Sequence, residues 1–329
     1  MEDHVQPGVR KLSDHFFMIT LPMPFRLGHV NTYAWINNGG IDLFDTGGNF
    51  PGTFSALGKF LEEMNCSVAD VRRIFISHFH ADHCGLAGLI KEKSGASILM
   101  SEIDDEIIGS FEQENKRIEH VRVFCAEQGL NAEMTREICI SIGGFREVTY
   151  PFRADAFLQD GDVFNLGDKT LRVVATPGHS RGHCSFFIPE DAMLIAGDHL
   201  LAHITPNLSP DLLAPSYRPL KSFMASLEKV GFLGVREAYP AHGYPFSGIE
   251  GRVDEIKIHH RERKALVLAA FRDRSRMTLE ISEEVFGTDL PTFDAYLAVN
   301  ETYVHLLELE DEGIIRRHRE GGKFIFTLA

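Results

Sequence analysis

Three histidines and an aspartate fall within six positions in His78-Phe79-His80-Ala81-Asp82-His83, directly after the apolar run Ile74-Phe75-Ile76. Imidazole nitrogens and a carboxylate at that density suit a divalent metal: zinc, and also iron or manganese. Buried polar groups need partners, so such side chains can share an interior turn only where something satisfies them together. The arrangement recurs along the chain. Thr170–Ala175 runs into Thr176-Pro177-Gly178-His179, Ala192–Ala196 into Gly197-Asp198-His199, and Glu237–Tyr239 into Pro240-Ala241-His242. Each places a His or Asp just past an apolar segment, with Gly or Pro beside it to turn the backbone. Four strand ends meeting on one edge would build a metal site, and seven ligands of this kind exceed what one ion takes.

The elements that must position these residues follow from periodicity. Arg72–Ser77 reads as a short core strand, and Gly85, Leu86, Leu89 and Ile90 as a helix with an apolar stripe closed by Gly95. Residues 11–50 alternate apolar and polar segments, with turns at Pro22, Pro24, Gly28 and Asn37-Asn38-Gly39-Gly40, which predicts hairpins. Residues 53–64 read as the first helix, and residues 156–175 return to strands. Between them, about 101–150, lies a charged helical insertion: Glu102–Gly109, Phe111–Gln128 and Ala132–Ile142, with Gly129 as a stop and Asn131 as a cap. Beside a metal cleft such an insertion reads as a lid, with a packing layer as the alternative.

The joint pattern resembles the metallo-β-lactamase fold superfamily of hydrolases, of the glyoxalase II-like and lactamase-like-2 type. The residues that carry the likeness are His-x-His-x-Asp-His at 78–83, His179, Asp198, His242, and Asp45 within Leu43-Phe44-Asp45-Thr46-Gly47, over about residues 10–250. The resemblance implies an α/β fold, the αββα sandwich of that superfamily. It implies two divalent ions, zinc first and iron or manganese as alternatives. His78, His80 and His179 would hold one ion, Asp82, His83 and His242 the other, and Asp198 would bridge them. Asp82 and Asp198 would be the catalytic carboxylates, with Asp45 and His183 supporting the ligands from behind. Asp198 stands where true β-lactamases usually carry Cys or Ser, so antibiotic hydrolysis is not the expected role. His80 stands where flavin-linked diiron reductases carry Glu. The expected activity is hydrolysis of a small ester, thioester or lactone by a metal-activated hydroxide. The alternative is a phosphodiesterase or endoribonuclease; a mononuclear iron dioxygenase and a non-catalytic interaction protein are the readings from other classes.

After Asp198, Pro206, Pro210, Pro215 and Pro219 mark a loop bordering the site, in which His203, Thr205, Asn207, Tyr217 and Arg218 are candidate substrate contacts. The character changes at about Arg252, which divides the chain into a catalytic domain, 1–251, and a small C-terminal domain, 252–329. Helices at Val253–Arg272, Leu279–Phe286 and Phe293–Glu312 precede a hairpin of Ile314–His318 and Lys323–Leu328, a winged-helix pattern. Its third helix carries Asp294, Glu301, Glu308, Glu310, Asp311 and Glu312 with no Lys or Arg, so DNA recognition is not expected. Packing, dimerisation or a substrate-edge role fits better. No metal-ligand spacing is read there, since adjacent His259 and His260 on a helix point about 100° apart.

Bulk properties agree. At 329 residues the chain exceeds the usual single-domain size. A net charge of −14, from 33 basic and 47 acidic residues, disfavours general affinity for nucleic acid or anionic membrane. No stretch reaches the ~18 apolar residues of a membrane span, and no secretion signal is read. Five cysteines without CxxC spacing fit a reducing compartment, so a cytoplasmic location is expected. The expected partner is a small-molecule substrate. No DNA and no membrane are expected, RNA only under the phosphodiesterase reading, and a homodimer is an open expectation.

Overall fold

Two β-sheets packed face to face are the frame of the molecule. The computed structural model describes residues 5–37, 39–110, 114–272 and 274–329. The first sheet runs in chain order: β1 (Gly8–Lys11), β2 (Phe16–Pro22), β3 (His29–Asn37), β4 (Gly40–Phe44), β5 (Val71–Phe75), β6 (Ser97–Met100) and β7 (Ala156–Phe157). It is antiparallel up to β4 and parallel from β4 onward. The second contains β8 (Val163–Asn165), β9 (Thr170–Ala175), β10 (Cys184–Ile188), β11 (Met193–Gly197), β12 (Glu237–Pro240) and β13 (Phe246–Ser247), with β11 and β12 parallel.

Alternation along each strand sends one set of side chains between the sheets and the other outward. Phe16, Tyr33, Trp35, Phe44 and Phe75 of the first sheet meet Val173, Phe186, Ile195 and Tyr239 of the second in an aromatic core. Each such buried aromatic stabilises the fold by roughly 2–3 kcal/mol. The outer face of the first sheet is covered by α1 (Thr53–Glu63), the short α2 (Ala81–Cys84) and α3 (Ala87–Ser94), through Leu57, Leu61 and Ile90 against Leu43 and Ile74. This makes an α/β architecture of αββα layers, with two later helices supplying the fourth layer.

The insertion forms α4 (Glu102–Ser110), α5 (Glu114–Gln128) and α6 (Ala132–Glu147), and α7 follows at Pro219–Gly231. Asn131 caps α6, accepting from Met134 N at 2.9 Å, and α6 continues past the expected end at Ile142, through Gly143 and Gly144. The start of the expected Phe111–Gln128 helix lies outside the described residues. The C-terminal part comprises α8 (Ile249–Ala269), α9 (Thr278–Phe286), α10 (Thr292–Asp311) and the hairpin β14 (Ile315–Glu320) with β15 (Lys323–Leu328).

The structure corrects two expectations. The helix expected from Gly85 is broken in two: α2 begins inside the His/Asp motif, and the chain kinks at Gly85-Leu86 before α3. A Cβ on Gly85 would sit 2.6 Å from Val148 O and 2.7 Å from Asn49 N, so only glycine permits that approach. The position 251/252 falls inside α8, which starts at Ile249. Ile249, Val253 and Ile256 join Phe223 and Leu227 of α7 against the outer face of the second sheet, while Val267 packs with Phe271, Leu306 and Phe326 of the tail.

The insertion also has a settled packing partner. Val121, Phe124 and Cys125 of α5 and Ile138 and Ile142 of α6 share one apolar cluster with Tyr296 and Val299 of α10. α5 and α6 therefore pack against the tail, as the alternative to a lid expects.

Candidate metal centre

The four strands picked out by their apolar runs end on one edge of the sandwich. His78 follows β5, His179 follows β9, Asp198 directly follows β11, and His242 follows β12. Gly197 turns the chain at φ +54, and a Cβ there would lie 2.7 Å from His183 Nε2. The side chains gather in two groups whose potential ligand atoms lie within 4.8 Å of one another: His78, His80, His179 and Asp198, and then Asp82, His83 and His242. Asp198 touches both. Its Oδ2 is 3.4 Å from His179 Nε2 and 3.5 Å from His83 Nε2, and its Oδ1 is 3.4 Å from His242 Nε2.

Hydrogen bonds behind the rings fix which nitrogen faces inward. His179 donates from Nδ1 to Asn207 O at 2.9 Å, and His242 from Nδ1 to His29 O at 2.9 Å. His83 donates from Nδ1 to Asp45 Oδ2 at 2.9 Å. Ser77 Oγ gives its proton to Asp45 Oδ2 at 2.7 Å, so at 3.0 Å it accepts from His78 Nδ1. Asp45 Oδ1 also accepts from Ser77 N at 2.7 Å. One carboxylate thus holds the tautomers of two imidazoles that belong to different groups. Asp45 adopts φ 57 to do this, a left-handed conformation costing a non-glycine residue roughly 1–2 kcal/mol, offset by these bonds.

The inward atoms are poorly served by one another. The bare Nε2 lone pairs of His78 and His179 both face His80 Nδ1, at 2.8 and 3.0 Å. A hydrogen on His80 Nδ1 could serve one of them, whereas a cation in their midst serves all three. Buried His83 Nε2 and Asp198 Oδ1 have no hydrogen-bond partner. The donor set, imidazole nitrogen and carboxylate oxygen, fits divalent ions such as zinc.

Electrostatics divides the two groups. Burial, reinforced by neighbouring imidazoles, holds His78 well below the ordinary histidine range and His80 at about 3. Burial also opposes charge on His83 and His242, but the Asp198 and Asp82 carboxylates outweigh it and raise both. Asp82 and Asp198 are pushed up by burial and pulled further down by the facing histidines, so both stay ionised.

His183 stands behind Asp198: its Nδ1 is 2.8 Å from Thr176 Oγ1 and its Nε2 accepts from Asp198 N at 3.2 Å. Two of the expected substrate contacts, Arg218 and Asn207, are engaged by another part of the chain. Arg218 pairs with Asp311 of α10 at 2.7 and 3.1 Å, and Asn207 donates from Nδ2 to Leu297 O, so both side chains face the tail. Tyr217 is half-buried, and burial pushes its hydroxyl up to about 12, while His203 is exposed on the loop. The polar loop composition suggested substrate contact, but the side chains of Arg218 and Asn207 both bond to the chain's own last long helix.

Sequence reasoning missed Asp104. This fully buried carboxylate in α4 accepts from Phe79 N at 3.1 Å, Ser180 Oγ at 2.9 Å and Gly182 N at 3.0 Å, binding the loop of His80 to the loop of His179. A Cβ on Gly182 would lie 2.4 Å from Asp104 Oδ1, so a glycine is needed beside it. Burial raises the Asp104 carboxyl to about 7, against these hydrogen bonds. The tail also corrects an expectation: ligand-type atoms of His259, His260 and Glu301 lie within 4.8 Å of one another, because Glu301 comes from a different helix.

Comparison with known proteins agrees with this geometry. The model of the metallo-beta-lactamase superfamily matches residues 25–242. A Beta-lactamase-like protein 2 homolog of Caenorhabditis elegans is 27% identical over 327 residues, covering 98% of this chain and 93% of that protein. The atrochrysone carboxyl ACP thioesterase dmxR1 of Cryptosporiopsis sp. (strain 8999) is 24% identical over 321 residues, 93% of this chain and 80% of its own. The crystal structure of the metallo-beta-lactamase family protein TTHA1429 from Thermus thermophilus superimposes with a TM-score of 0.86 at 28% identity, covering 97% of this chain and 100% of the other. The strand-end cluster and these likenesses lead to one conclusion: the chain belongs to the metallo-beta-lactamase superfamily and is a hydrolase.

Proposed function

We propose that the chain is a binuclear metal-dependent hydrolase cleaving a small thioester, ester or lactone. The observation that carries this reading is the position of Asp198, whose two oxygens lie 3.4–3.5 Å from imidazoles of both groups. In this reading His78, His80 and His179 hold one divalent ion, Asp82, His83 and His242 the other, and Asp198 both. Zinc suits the set best, with iron or manganese as alternatives. Two such ions would supply an acidified water and polarise the substrate carbonyl. The chain's own residues orient and take the proton. Asp82 stays ionised and is more open to solvent than Asp198, which makes it the acceptor for a proton from the attacking water. Asp45 and His183 keep the rings and the Asp198 backbone in register. The likeness to a thioesterase supports an acyl substrate, and the charge of −14 disfavours a polyanionic one. We also read α8, α9, α10 and the β14–β15 hairpin as a winged-helix unit.

The test pairs metal analysis with a substrate panel. Protein purified without chelators should hold close to two metal ions per chain and cleave acyl thioesters. His78→Ala combined with His83→Ala should abolish both. Full activity with one ion per chain would overturn the binuclear reading. Cleavage of single-stranded RNA faster than any thioester, with activity falling steeply in salt, would overturn the substrate class.

A further inference from the structure

Helix α10 reaches the metal centre through the loop after Asp198. The carbonyl of Asn207, which accepts from His179 Nδ1, belongs to a three-residue stretch bonded to that helix throughout. Asn207 Nδ2 donates to Leu297 O at 3.2 Å, Leu208 N to Glu301 Oε2 at 3.3 Å, and Asn300 Nδ2 to Ser209 Oγ at 3.3 Å. Ser209 Oγ in turn donates to Asn207 Oδ1 at 3.1 Å. Leu208 is fully buried, so its amide has no water to fall back on.

Glu301 is itself held in place. It is 6% exposed, and its backbone carbonyl accepts from His305 Nδ1 at 2.7 Å. The rings of His305 and His260 stack beside it, with centroids 5.4 Å apart. A buried carboxylate in the middle of a helix is costly, and one whose oxygen meets a buried amide on another segment has a fixed direction. Of the acidic residues of α10, this is the buried one.

We infer that Glu301 is a positioning residue for the metal centre: α10 fixes the 207–209 backbone through Glu301, and that backbone fixes the imidazole of His179. The inference rests on the reading of His179 as a metal ligand. The partner of a ligating imidazole sets its tautomer and direction, and loss of such a partner weakens metal affinity by about 10–100-fold.

The test uses the full-length chain and zinc affinity by chelator competition, with the absorption spectrum of the cobalt-substituted protein as a second readout. Glu301→Ala removes the acceptor, and Glu301→Gln keeps an oxygen for Leu208 N–H. Lys264→Ala breaks the Lys264–Glu312 pair at the far end of α10 and reports general loosening of the tail. Expected is a roughly tenfold or greater loss of affinity at one of two ions, and a changed cobalt spectrum, in Glu301→Ala alone. Should Glu301→Ala fail to fold, Glu301→Asp withdraws the oxygen by one methylene and should give the same result. Wild-type affinity and spectrum in the folded Ala or Asp variant would overturn the inference, as would an equal loss in Lys264→Ala. Wild-type protein that binds no divalent ion would instead overturn the reading of His179.

Discussion

Asp45 Oδ2 lies 2.9 Å from His83 Nδ1 and also accepts from Ser77 Oγ, which in turn accepts from His78 Nδ1. Two inward lone pairs, one on each side of Asp198, therefore depend on a single carboxylate. Asp45→Asn places an amide donor where an acceptor is needed, opposite His83 or Ser77. The expected outcome is a folded protein whose metal affinity falls by about 10–100-fold. Chelator competition alongside circular dichroism checks it. Unchanged affinity would show that the tautomers are set elsewhere.

Asp104 leads to a second prediction. Asp104→Ala would strand the amides of Phe79 and Gly182 and the hydroxyl of Ser180 in the interior. The loss should be about 2–4 kcal/mol of stability with most of the activity. Asp104→Asn keeps one accepting oxygen and should fall between the two. Thermal unfolding and kcat for the pair are the measurement. Equal behaviour of Ala and wild type would remove Asp104 from the account.

The metal-binding pattern was readable in the sequence because the seven proposed ligands follow just four apolar strands, each within a few residues to about eight of its strand's end. Asp104 was not readable. It sits in Glu102-Ile103-Asp104-Asp105-Glu106, where an acidic first turn is ordinary helix chemistry, and its partners lie 25 to 78 positions away. Glu301 was hidden in the same way among the other acids of α10. The start of α8 was obscured by Gly248 and Gly251, residues that usually end helices. Asn207 and Arg218 looked like substrate contacts because polarity near a site says nothing about which wall a side chain faces.

Glu301 should also mark the pH dependence of stability. Burial raises its carboxyl to about 7, against the Leu208 amide bond, which favours the ionised form. The unfolded chain releases that proton near pH ~4.3. Between the two values the folded state binds a proton the unfolded state lacks, so stability falls as pH rises through that window and levels off above it. The span corresponds to roughly 3–4 kcal/mol. Glu301→Gln carries no such proton, so its stability relative to wild type should improve steadily from pH 5 to pH 7. Urea unfolding at several pH values tests this, and a constant difference would contradict it.

Helix α8 contributes its first turns to the core under the second sheet and its last turns to the core of the tail. A rigid rod shared in this way cannot melt at one end without releasing apolar surface from the other. The catalytic layers and the tail should therefore show no independent melting transitions. Heat or denaturant should take the chain apart in one cooperative step, and a gene fragment ending within α8 would encode an unfinished core instead of a smaller enzyme.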